Sequence, residues 1–147
     1  MSKLLIKQVS ILSAILSAIL GILALIPIIR NAAVLVVTIL IAPIVLIYLK
    51  KLNILEEIDI QKGMILGTII GVVSTFVFIL VFTPFDLLLS LFIKDGYIYW
   101  IASLIKNAGF FVYSMLLFFI CILGGLTNAF SGLATAYLYD FLGKMKD

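Results

Sequence analysis

Residues 61–82 read QKGMILGTIIGVVSTFVFILVF, and after Lys62 no charged side chain occurs until Asp86. A helix needs about 20 predominantly apolar residues to cross the hydrocarbon core of a bilayer, and this stretch supplies them. Gly63, Gly67 and Gly71 recur four residues apart, so they share one helical face. Small residues at that spacing let helix backbones approach closely, which lipid alone cannot replace. The stretch therefore reads as a membrane helix that carries its own packing face.

Three further runs of the same kind flank it. Residues 9–29 lie in an uncharged interval between Lys7 and Arg30. Residues 33–49 are shorter but sufficient, and residues 110–139 are long enough to tilt or break. The first run is longer than the ~7–15 residues of a signal-peptide core and lacks a small-residue cleavage site, so it is read as a retained span. The whole chain of 147 residues is 65% hydrophobic and 12% charged. A soluble domain is ~45–50% apolar, and one this small exposes much of its surface, so the excess must face lipid. The expected fold is an all-α integral membrane protein: one membrane domain, 1–147, built as a four-transmembrane-helix bundle.

The connections are expected to be short. Arg30 and Asn31 make a tight turn, and Asp59 is placed to cap the third span. Residues 83–108 are different. Thr83, Pro84 and Asp86 resemble a helix start, with cap, first-position proline and acidic first turn. Asp95 and Gly96 mark a turn, and Tyr97, Ile101, Leu104, Ile105 and Ala108 share a face. Two short interfacial or re-entrant helices, about 84–94 and 97–107, are predicted between the third and fourth spans.

Orientation follows the distribution of basic residues. With both termini in the cytoplasm, Lys3, Lys7, Lys50, Lys51, Lys62, Lys144 and Lys146 lie inside, against Arg30, Lys94 and Lys106 outside: seven to three. Tyr97, Tyr99, Trp100 and Tyr113 would mark the outer aromatic belt, and Tyr48, Tyr137 and Tyr139 the inner one. The expected location is a multi-pass position in a bacterial plasma membrane. The net charge of +3 forms no basic stripe with interleaved aromatics, so nucleic acid is not an expected partner. Expected partners are the bilayer, a second copy, or another membrane protein.

Candidate functional residues are few. There is no histidine, and Cys121 stands alone, which removes the commonest general base and metal ligand and any internal disulfide. No cofactor, metal or catalytic residue is expected. Small residues form stripes in three spans: Ser13, Ser17 and Gly21; Gly63, Gly67 and Gly71; and Gly124, Asn128, Gly132 and Ala136, with Gly125 and Ala129 adjacent. All three fall in the cytoplasmic half, while the outer half of the fourth span is bulky. A bundle packed tightly inside and splayed outside follows.

Asn128 is the strongly polar side chain deep in a span, and a buried amide is costly in lipid unless bonded. Ser13, Ser17, Thr68, Ser74 and Thr75 are its expected partners. Asn128, Ser131, Thr135, Ser17 and Thr75 make up a candidate intramembrane polar cluster for binding. Pro43 should kink the second span and free the Ile39 carbonyl. Asp86 and Asp140 are expected at the interface, as caps or lipid-facing charges. These features point to a non-enzymatic structural or accessory protein, a partner subunit or membrane scaffold. The alternative is an oligomeric transporter or channel for a neutral, apolar or lipid-like solute.

Overall fold

A computed structural model describes residues 3–55, 59–93 and 100–144. It is all-helical, and four helical stretches are long and apolar enough to cross a membrane. Helix α1 spans Lys3–Leu23. The second span, Pro27–Lys51, is composite: α2 (Pro27–Leu35), a π-helical turn (Val36–Leu40) and α3 (Ile41–Lys51). Helix α4 covers Ile60–Ser90 and α5 covers Trp100–Lys144.

Several boundaries differ from the sequence reading for identifiable reasons. The first turn lies at residues 24–26, not at Arg30 and Asn31, which are inside α2. Pro27 decides this: its missing N–H and preset φ suit the first helical position, and Ile26 before it is extended, at φ −82° and ψ 116°, as a residue preceding proline prefers. Asp59 holds the N-cap position of α4 with extended backbone but makes no side-chain cap bond.

The two predicted short helices do not form as a separate pair. Residues 84–90 continue α4 straight through Pro84. The Thr83 hydroxyl, expected as a cap, is instead 2.7 Å from the Tyr113 hydroxyl of α5. Residues 100–108 are helical but run into the fourth span, interrupted by Gly109 at φ 84° and ψ 160°. That left-handed conformation suits a residue without Cβ, and it re-aims the chain. Ile101 of this segment is buried while Lys106 is exposed. The predicted turn at Asp95 and Gly96, with Tyr97, lies outside the described residues.

Helix α4 sits between α1 and α5, antiparallel to α5. At the end of the bundle where the chain begins, the α4 glycines touch the backbone of α5. A Cβ on Gly63 would lie 2.6 Å from that of Ala136 and 2.7 Å from the Gly132 carbonyl oxygen. A Cβ on Gly67 would run into the Asn128 carbonyl, and one on Gly71 into that of Gly124. The main apolar core, with Val9, Ile41, Val45, Leu46, Leu66 and Ile70, belongs to this end. A smaller cluster of Ala24, Ala33, Val37 and Phe78 belongs to the other. Gly21 continues the α1 stripe there, with a Cβ position 3.2 Å from the Phe78 carbonyl oxygen.

Candidate functional site

The polar centre of the bundle is where α5 meets the break in the second span. In an α-helix the Thr38 carbonyl would accept the Ala42 N–H, and in a π-turn it would accept one from residue 43. Pro43 has no N–H, and the Ala42 N–H donates instead to Oδ1 of Asn128 at 3.1 Å. Nδ2 of Asn128 donates to the carbonyls of Val37 and Thr38, both at 3.0 Å, and to Gly124 of its own helix at 2.9 Å. Thr127 adds an Oγ1 donor 2.6 Å from the Thr38 carbonyl. One side chain thus serves as a prosthetic turn for the broken helix: it accepts the displaced donor and supplies donors to the orphaned acceptors. Asn128 is fully buried, and an unmet backbone group there has no water to turn to.

The sequence placed Asn128 correctly as an interhelical crosslink but named the wrong partners. Ser13 bonds the Val9 carbonyl, Thr68 that of Met64, and Ser74 that of Gly71. Ser131 and Thr135 bond back to Thr127 and Ser131 respectively. Ser17 Oγ and Thr75 Oγ1 are buried with no hydrogen-bond partner among the described residues. Of the five cluster residues, Thr75 and Asn128 come near each other: Thr75 packs against Gly124, whose carbonyl Asn128 bonds, and Asn128 packs against Gly71. Ser131 and Thr135 lie further along α5, beside Pro43. The carbonyls that Asn128 takes up are those of Val37 and Thr38, not that of Ile39. Seeing this from sequence required knowing that Pro43 would be preceded by a widened turn.

A second polar group was missed outright. Asp86 is not an interfacial cap: it is 1% exposed within the long α4 helix. Its Oδ1 is 3.1 Å from an Arg30 Nη2 of α2. Arg30 also donates through Nε to the Ala24 carbonyl at 3.1 Å, and its guanidinium lies 5.1 Å from the Phe82 ring centroid. Tyr113, assigned to the outer belt, is buried as well and meets Thr83 one turn before Asp86 on α4. Reading Thr83 and Pro84 as a helix start hid this cluster, because it moved Asp86 out of the span. Asp140 is exposed.

Two hollows flank the Asn128 lock along the seam between the second span and α5. One, about 280 Å³, lies among Val37, Thr38, Phe78, Ile79, Leu117 and Ile120 and is lined also by Ile101, Thr83 and Tyr113. The other, about 450 Å³ and more open, lies among Leu40, Pro43, Ile47, Ser131, Thr135 and Leu138. Helix α5 otherwise turns outward: Phe110, Phe111, Phe118 and Phe130 are each more than 60% exposed, as lipid-facing side chains are when the protein is considered alone. Among the described residues no group of three His, Cys, Asp or Glu side chains is placed to hold a metal. No protein family, curated protein or solved structure matches the chain.

Proposed function

We propose that the chain is a non-enzymatic membrane scaffold that serves as an accessory subunit through its lipid-exposed face, with both termini in the cytoplasm. The observation that carries this reading is the Asn128 lock. Its amide hydrogens point to protein carbonyls and its oxygen to a protein N–H, so this fully buried amide holds two helices in fixed register. Arg30 with Asp86, and Thr83 with Tyr113, act in the same sense at the other end. A bundle whose polar groups are directed inward is suited to presenting a rigid outer surface. The phenylalanine-rich side of α5 is the surface proposed to meet a partner helix. A photo-crosslinking residue at Phe118 or Phe130, activated in intact membranes, should give discrete protein adducts that the same residue at Ile15 of α1 does not. Lipid adducts alone at all three positions would remove the accessory role.

A second reading, passage of a neutral, apolar or lipid-like solute, is favoured by the two hollows on either side of the lock. Here the seam between the second span and α5 would be the route and Asn128 its barrier. Liposome efflux of a neutral apolar dye should then rise on Asn128→Ala; efflux equal to that of protein-free vesicles, for both wild type and variant, would end this reading.

A further inference from the structure

The hollow of about 450 Å³ is an open groove between α3 and α5. Ile47, Leu138 and Leu142 on its walls are exposed. Of the hydroxyls along it, those of Ser131 and Thr135 donate to carbonyls of their own helix, and that of Tyr139 belongs to the end where α5 finishes. Ser131 and Leu142 are eleven residues apart, about 16 Å along a helix. One leaflet of a bilayer with a ~30 Å hydrocarbon core has about the same depth. The groove has the length and the wall of one lipid tail.

No charged residue occurs between Arg30 and Lys50, or between Lys106 and Asp140, so charge meets the groove at one end alone. Lys50 and Lys51 stand in the last turn of α3, three and four residues after Ile47, and share its face of the helix. The second span and α5 run in the same direction, and Thr127 meets the Thr38 carbonyl. Equal rises from that contact bring Lys51 about level with Tyr139 and Asp140. Asp140 is about 200° round α5 from Leu138, away from the groove.

We propose that this groove holds an anionic phospholipid from the leaflet at the end of the bundle where the chain begins. One tail lies against Pro43, Ile47 and Leu138, and the phosphate meets Lys50 and Lys51. The groove is open along its length, so the second tail stays in the bilayer. A zwitterionic lipid would bring a cation beside two lysines, and a symmetric contact with a second copy would bring lysines against lysines. Each lysine near an anionic headgroup favours it by about fivefold. The inference goes beyond the scaffold reading and requires neither it nor passage through the seam, so its failure leaves both standing.

The test is native mass spectrometry of the full chain in detergent with equal amounts of phosphatidylglycerol and phosphatidylcholine. One phosphatidylglycerol should be retained per chain, at least fivefold in excess of phosphatidylcholine. In nanodiscs, a phosphatidylglycerol with a diazirine in its tail should label Ile47 and Leu138 at least threefold more than Ile15 of α1. Lys50→Gln with Lys51→Gln should abolish the lipid preference. Lys3→Gln with Lys7→Gln removes two exposed charges from the start of α1 at the same end and should leave it intact. Leu138→Trp fills the groove without altering charge and should lower retention of both lipids; circular dichroism checks that the variants are folded. Equal retention of the two lipids, equal loss of preference in both lysine pairs, adducts spread evenly over the exposed faces, or a lipid-free dimer overturns the proposal.

Discussion

Along α4, Gly63, Gly67 and Gly71 lie directly on the backbone of α5, whereas two to three turns later Phe78, Phe82 and Thr83 face the same helix across a cavity of about 280 Å³. The two halves use the same pair of helices and differ in side-chain size. Where both surfaces are small, backbone meets backbone and dispersion and weak Cα–H···O contacts accumulate. Where both are large, side chains meet in place of backbones and leave a space that Ile101 helps to line. Between the two regimes sits Asn128, at the point where the second span changes from α2 to α3. The small-residue half thus sets how closely the helices approach, and the bulky half sets what can lie between them.

The largest expected effect is at the tight half. Gly67→Leu drives a branched side chain into the Asn128 carbonyl, a backbone atom that cannot rotate away. Overpacking commonly costs 1–3 kcal/mol and more when backbone must move, so a loss of at least ~3 kcal/mol is expected, seen as a collapse of the melting temperature in detergent. An unchanged melting temperature would mean that the glycine face is not a packing surface.

At the open half the largest effect should come from Asp86→Ala. Removing one member of a buried ion pair typically costs 3–5 kcal/mol because the other charge is stranded. Arg30 keeps the Ala24 carbonyl and the Phe82 ring and is partly exposed, so about 2 kcal/mol is expected. Arg30→Met with Asp86→Leu should recover most of it, as apolar replacements of a buried pair often do. A double variant less stable than Asp86→Ala would show that the pair has a role beyond mutual neutralisation.

The four spans were legible because they are uncharged runs of bilayer length, and the glycine face because its four-residue period needs no tertiary knowledge. Asn128 was legible as a crosslink for the same kind of reason: a lone amide in hydrocarbon must find partners. Its actual partners were not, since they are backbone groups displaced by a π-turn, and nothing in VVTILIAP distinguishes that turn from a plain proline kink. Thr83, Pro84 and Asp86 misled because a local helix-start pattern competed with a tertiary contact. The Thr83 hydroxyl meets Tyr113, and a helix can run through proline in a membrane when neighbours satisfy its backbone.

Asn128→Leu tests the boundary between the halves. It should cost about 1–2 kcal/mol, within the range measured for interhelical hydrogen bonds in membranes and for stranding a buried donor. The diagnostic is local: hydrogen exchange at the Ala42 amide should accelerate at least tenfold while the α4 amides around Gly67 are unaffected. Uniform acceleration across the bundle would mean that the lock holds the whole fold and not the break alone.

The smallest effect should appear where the cavity has room. Ile120→Phe adds volume to the wall of the 280 Å³ hollow. Cavity volume in an apolar interior is destabilising, at roughly 24 cal/mol per Å³ in soluble cores, so partial filling should be neutral or stabilising by ~0.5–1 kcal/mol. At Gly125, a Cβ would lie 2.7 Å from the Val72 side chain, and Gly125→Ala should destabilise by ~1 kcal/mol although it adds only one carbon. The contrast between the two substitutions matters more than either value. If Ile120→Phe destabilises more than Gly125→Ala, the bulky half is as tightly packed as the glycine half, and the distinction between them fails.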